Sequence, residues 1–256
     1  MADLGLGEKI IDTGLRLYDK FADRKTMPTN RRIFLESVLD KSKQPITESA
    51  FSPEELDTLG QVIYGKYQAI DPQLSKYESL LADKMTKHAE AVAAKNKDRM
   101  LYPEYAKQYS QELAAIRAYR QGKLTPEFLS LAADRFNVKP NVVYEDYGID
   151  PEKARTAFSG SDPREALHTT LGRFVYTVDP QTGGLVITDK YDFNPTSMSN
   201  QPVSEGTMYY GGEGGGQGIY GAVRQYAGNV LPPGSGRDVR IQLNQLAPPV
   251  KNSLTR

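Results

Sequence analysis

Fifteen of the 22 glycines in this 256-residue chain follow Ser159, and only seven precede it. Glycine loses the most backbone freedom in a helix, so a stretch poor in it can hold long helices and a stretch rich in it cannot. The chain is therefore expected to change character near residue 160. Before that point a repeated start signal appears: a small polar residue, a proline, then acids or apolar residues. Ser52-Pro53-Glu54-Glu55 is the fullest example. Ser52 can cap, Pro53 loses nothing at the first helical position, and Glu55 can close a capping box. Asp162-Pro163-Arg164-Glu165 repeats the logic. Asp71-Pro72, Thr125-Pro126 and Asp150-Pro151 are weaker, lacking the acid at the third position. These signals predict helices over about 5–25, 30–41, 53–66, 72–100, 103–121, 126–136 and 151–158.

The predicted helices are amphipathic. Ile11, Leu15, Tyr18 and Ala22 recur at helical spacing, as do Leu56, Leu59 and Ile63. From Leu74 to Tyr119 the apolar stripe thins into Ala, Lys, Glu, Gln and Tyr, which reads as a long, partly exposed helix or hairpin. A helix with so narrow a stripe gains its stability from packing, so partner helices are implied, from this chain or a neighbour.

After Ser159 the period becomes two. Phe174, Tyr176 and Val178 alternate with Val175 and Thr177, and the Asp179-Pro180-Gln181-Thr182-Gly183-Gly184 turn leads to a returning strand over Leu185–Phe193. A polar, glycine-rich loop spans 195–218. A short amphipathic helix carries Ile219, Ala222, Val223, Tyr226 and Ala227. A third strand is predicted over Asp238–Leu243, and the Pro248-Pro249 tail reads as an extended arm. The expected fold is α+β: a helical, partner-packing region over 1–160, a small β-hairpin domain with one packed helix over 161–244, and an arm over 245–256.

Charge and composition exclude several chemistries. Lys plus Arg and Asp plus Glu number 32 each, without the basic footprint of a nucleic-acid binder. No apolar run is long enough to span a bilayer, and no secretory signal follows Met1. The absence of cysteine removes disulfides and thiol chemistry, and two histidines, His88 and His168, offer no metal-ligand spacing. His88 sits on a polar helix and is expected to be solvated. His168 is expected to be a helix-end or hydrogen-bonded structural histidine. The run from Gly211 to Gly218 lacks a Gly-Lys-Ser/Thr ending and any G-x-G-x-x-G register, so it reads as a partner-ordered loop rather than a phosphate cradle. Sixteen tyrosines and no tryptophan suggest contact surfaces. An amphipathic helix carrying Ile11, Leu15, Tyr18 and Phe21 could meet a membrane, but Asp12, Asp19 and Asp23 temper its basic character and argue against that contact.

One cluster carries candidate chemistry: Asp189-Lys190-Tyr191-Asp192-Phe193-Asn194. Two carboxylates at a strand end could hold Mg²⁺ or share acid–base work, although strand positions three apart face opposite sides. The bland alternative is that Asp189 and Asp192 cap turn amides while Tyr191 and Phe193 pack inward.

With its preceding hairpin, following helix and final strand, this run resembles the activity domain of the colicin M-like family. Similar Asp-x-Tyr-Asp-Phe hairpins occur in phage virion components. The likeness covers about residues 167–243. It implies Mg²⁺-dependent cleavage of lipid-linked peptidoglycan precursor between the polyprenyl chain and the pyrophosphate. The family's essential acids would fall on Asp189 and Asp192, with Tyr191 between them and the same two acids as metal ligands. That family places a His and an Arg shortly after the Asn, where this chain has Pro195-Thr196-Ser197-Met198-Ser199-Asn200. A phosphate-cleaving site without a basic partner lacks both proton transfer and charge stabilisation. The expectation is therefore a non-enzymatic structural protein of a phage particle, in contact with other virion proteins and copies of itself, without cofactor or sequence-specific nucleic acid. The alternative is the Mg²⁺-dependent hydrolase carried within the particle.

Overall fold

In the computed structural model, residues 6–21, 23–25, 27–40, 42–149, 162–191 and 236–244 are described. Helices α1 (Leu6–Phe21), α2 (Thr29–Val38), α3 (Pro53–Gln68), α4 (Asp71–Ala93), α5 (Pro103–Arg120) and α6 (Pro126–Phe136) precede a short strand, β1 (Asn141–Val142). Helix α7 (Pro163–Thr170) then leads to β2 (Phe174–Val178), β3 (Leu185–Tyr191) and β4 (Arg237–Leu243). The fold is α+β, with a four-stranded antiparallel sheet in the order β1-β2-β3-β4. The helix expected over 151–158, the glycine loop, the helix near residue 223 and the arm lie outside the described residues.

Local chemistry accounts for the helix ends. At α3 the capping box is complete: Ser52 Oγ accepts from the Glu55 amide at 3.1 Å, and Glu55 Oε2 accepts from the Ser52 amide at 2.7 Å. Thr29 also donates to that Glu55 oxygen at 2.8 Å, so the buried carboxylate ties α2 to the start of α3. Thr125 caps α6 by accepting from the Phe128 amide, and Asp162 caps α7 by accepting from the Arg164 amide. Asp71 does not cap. It is the first residue of α4, and its carboxylate accepts from the Tyr119 hydroxyl at 3.0 Å and from Arg120 at 3.1 Å. Helix α4 stops at Ala93 rather than near residue 100, because Lys95 takes a left-handed φ of +54° and a 3₁₀ turn follows over Lys97–Arg99.

Packing groups the chain into two units that interleave along the sequence. One takes in Met1–Leu56, Val143–Phe174 and Thr188–Ile241; the other takes in Asp57–Val142, Val175–Ile187 and Gln242–Arg256. In the first, α2 packs on α7, and Asn30 donates to the Thr169 hydroxyl at 3.0 Å. Its core includes Ile33, Leu35, Tyr147, Leu167 and Ile241. In the second, α5 packs against α4 and α6 around Leu74, Leu81, Ile116 and Phe128. Tyr119 stacks on Phe128 at 4.4 Å between ring centroids, and the buried Tyr67 and Tyr176 hydroxyls share a 2.7 Å hydrogen bond.

The hairpin follows its sequence pattern. Phe174, Tyr176 and Val178 are buried between exposed Val175 and Thr177. The turn closes through Asp179 and Gly184, with Gly183 at φ +70°. Arg237, Val239, Ile241 and Leu243 point inward from β4. Ile46 forms a parallel bridge to Val239, donating to the Asp238 carbonyl at 2.8 Å and accepting from the Arg240 amide at 2.9 Å, so the outer side of β4 is partly covered.

Candidate functional site

Strand β3 places Asp189 on the same face as Leu185, Ile187 and Tyr191, the side where the strand is less exposed. Tyr191 therefore shares a face with Asp189, while Asp192, the third residue of the proposed catalytic and metal set, lies outside the described residues. Burial lifts the Asp189 carboxyl to about 6, partly opposed by a hydrogen bond from the Lys190 amide. Asp189 thus accepts a neighbouring backbone amide, but from within the strand and facing inward rather than at a turn.

The neighbours of Asp189 come from the segment between β1 and β2. Tyr147 is fully buried and donates to the Gly172 carbonyl at 2.9 Å. Burial first, and the negative charge of Asp189 second, hold its phenol well above the usual range. Tyr147 meets His168 edge-on, with ring centroids 5.4 Å apart, and Tyr144 lies 5.0 Å from the same imidazole. The Arg173 guanidinium in turn sits 5.0 Å from the Tyr144 ring centre. The residues form a chain: Asp189, Tyr147, His168, Tyr144, Arg173.

Within this group His168 lies in the last turn of α7, the helix-end position expected for it. Its Nδ1 is buried with no hydrogen-bond partner, and burial lowers its pKa, so the ring is neutral at pH 7. Tyr147 links the two titratable groups: it feels the charge of Asp189 and meets the ring of His168. The Tyr147 hydroxyl, however, is committed to Gly172, and the intervening rings separate the acid from the guanidinium. Among the described residues no three His, Asp or Glu side chains gather as a metal-binding group. Nothing in the spacing of Tyr147, His168 and Asp189 announces their proximity; only the folding of residues 143–174 against β3 produces it.

A second surface lies on the α4–α5 hairpin. Tyr102, Tyr105 and Tyr109 follow one another at i, i+3 and i+7, a single stripe of α5 and its cap. Tyr102 is 70% exposed and Tyr105 47% exposed. Tyr105 and Tyr109 stack at 6.3 Å with planes 22° apart, and Lys84 of α4 reaches within 4.9 Å of the Tyr109 ring centre. Leu80 and Val92 on α4 are also about half exposed, at 49% and 48%. His88, expected to be solvated, instead accepts from the Leu101 amide at 3.0 Å through Nδ1 and is half-buried. It fixes the connection between the two helices, a role set by the tightness of the turn rather than by its polar neighbours in sequence.

No family model, curated protein or solved structure matches this chain.

Proposed function

We propose that this chain is a non-enzymatic structural component of a bacteriophage particle, acting through contacts with other virion proteins and with copies of itself. The observation that carries this reading is the tyrosine ladder of Tyr102, Tyr105 and Tyr109. Tyrosine is rigid and amphipathic, and interfaces use it to bury large area at little entropy cost. Three in register on one helix stripe are more than the scattered apolar residues a surface ordinarily shows. The likeness of the Asp189–Asn194 run to hairpins of virion components, together with the glycine-rich stretch and Pro-containing tail, supports placing that assembly in a phage particle.

The test is light scattering after size exclusion, on the full chain alone and mixed with candidate particle proteins. Association is expected, and replacing both Tyr102 and Tyr105 with Ser should weaken it by about thirtyfold or more, the usual effect of truncating a central interface tyrosine. These exposed positions should leave the unfolding temperature unchanged. A chain that stays monomeric with every candidate protein would overturn the reading.

The hydrolase reading keeps one specific support, the grouping of Asp189 with Tyr147 and His168. Incubation with lipid-linked precursor and Mg²⁺ separates the two. The assembly reading expects no cleavage, whereas turnover abolished by Asp192→Ala would establish the enzyme.

A further inference from the structure

We propose that α1 docks on an anionic lipid surface, its outward apolar stripe entering the interface while a parallel basic stripe meets the headgroups. Ile10, Leu17 and Phe21 stand at i, i+7 and i+11, on one side of the helix, and are 65%, 52% and 80% exposed. The polar residues are sorted around that stripe. Lys9, Arg16 and Lys20 each directly precede one of these apolar residues, so they form a second stripe alongside the first. The Lys20 ammonium lies 5.9 Å from the Phe21 ring centre.

Two of the three acids that temper this helix in sequence, Asp12 and Asp19, lie away from the apolar stripe, and the third, Asp23, is exposed beyond the helix end, accepting from the Lys25 amide. Asp12 and Asp19 lie two residues beyond Ile10 and Leu17, nearly opposite the apolar stripe on a helix of this pitch, and both are half-buried. Asp19 takes two bonds from Arg24, at 2.6 and 2.7 Å, and Arg24 continues to Asp40 at 2.5 Å beyond the end of α2. Asp12 accepts from Arg16 at 2.9 Å. Asp19 thus holds the end of α1 through Arg24, while Asp12 pairs within the helix with Arg16 of the basic stripe; the exposed side of α1 is apolar with a basic border. An apolar stripe with a basic border is the pattern by which interfacial helices recognise anionic bilayers.

Charge also decides against a second copy as the occupant. An antiparallel pair would set the basic stripe against itself. A parallel pair would set it against Gly14 and Tyr18, which offer no acid. The proposal is independent of the tyrosine ladder, which lies on other helices.

The experiment uses the full chain with vesicles of phosphatidylcholine containing phosphatidylglycerol, and with vesicles of phosphatidylcholine alone. Cosedimentation is expected with the anionic vesicles and should weaken as salt is raised. Leu17→Asp should lower partitioning by about tenfold or more, the loss expected when one large apolar side chain no longer enters an apolar phase. Lys20→Glu should lower it on anionic vesicles only. Because the chain has no tryptophan, Phe21→Trp supplies a direct reporter whose emission should move to the blue when vesicles are added. Absence of both cosedimentation and an emission shift would overturn the proposal. Binding indifferent to Leu17→Asp would do the same, as would a blue shift that follows protein concentration without lipid, which would assign the stripe to a second copy.

Discussion

Asp189 concentrates the residue-scale argument. Its position on the inward face of β3 raises its carboxyl to about 6, above the 3.8 of a free aspartate. Native protein therefore binds this proton more tightly than unfolded protein does. The associated stability is full below about pH 4 and is lost as pH rises through 6. His168 has the opposite sign: burial lowers its pKa below 6.5, so its contribution is present above that value and is lost as pH falls through the lowered one. Between pH 4 and 6.5 the two slopes oppose each other. Replacing Asp189 with Asn keeps an acceptor for the Lys190 amide and removes one slope. The variant should match the parent near pH 4 and exceed it above pH 6 by about 1–2 kcal/mol, allowing for the partial solvent screening of a group that is not fully enclosed. Urea unfolding at several pH values reads this directly. A constant difference across the whole range would show that the effect is packing rather than ionisation.

At the scale of elements, the β2–β3 turn joins two glycines with different tasks. Gly183 holds φ at +70°, a region that L residues other than Asn and Asp avoid. Gly184 has no such torsion, but a Cβ there would lie 2.8 Å from the Leu243 carbonyl oxygen, so β4 passes too close for any side chain. Each change to alanine should cost about 1–3 kcal/mol, through backbone strain at one site and overpacking at the other. Asparagine separates them: Gly183→Asn should recover much of the loss, and Gly184→Asn should recover none. Thermal unfolding of the four variants is the check, and equal behaviour of the two asparagine variants would refute the distinction.

The same turn shows what a sequence discloses about its elements. Gly183-Gly184, the alternation around Tyr176 and the Ser52–Glu55 box are local signals, and each is realised locally. Asp71 reads as a cap but is drawn away by Tyr119 and Arg120, partners nearly fifty residues on. The stop of α4 at Ala93 depends on a left-handed Lys95, a residue type that gives no notice of that conformation. Strand β1 is two residues long, too short for any period to register. The candidate site divides the same way. Asp189 and Tyr191 stand out in sequence, whereas Tyr147 and His168 join Asp189 only through the fold.

Across the whole molecule, composition and packing describe different things. The change in glycine content near residue 160 separates helix-forming from strand-forming sequence, while packing unites 143–174 with residues up to 56. β4 illustrates why. It pairs with β3 on one side and with Ile46 on the other, a partner far away in sequence. It also delivers the buried Arg237, which donates to the Gln44 carbonyl at 2.8 Å, to Glu36 at 3.2 Å and to Ser37 at 3.3 Å. Such distant pairings must overcome loop-closure entropy before they contribute, so the sheet is expected to finish late in folding. Removing residues 236–244 would leave the edge of β3 open, the Ile46 amide without its carbonyl, and the Glu36 carboxylate without its guanidinium. A chain lacking residues 236–244 should therefore keep helical circular dichroism but lose a sharp unfolding transition and bind a hydrophobic dye. A synthetic peptide of residues 236–244 should restore the transition when added in trans, because what it replaces is a strand with both edges engaged. If the shortened chain unfolds as cooperatively as the full one, β4 is an addition to a core already complete, and the interleaving of the two units is a consequence of packing rather than its cause.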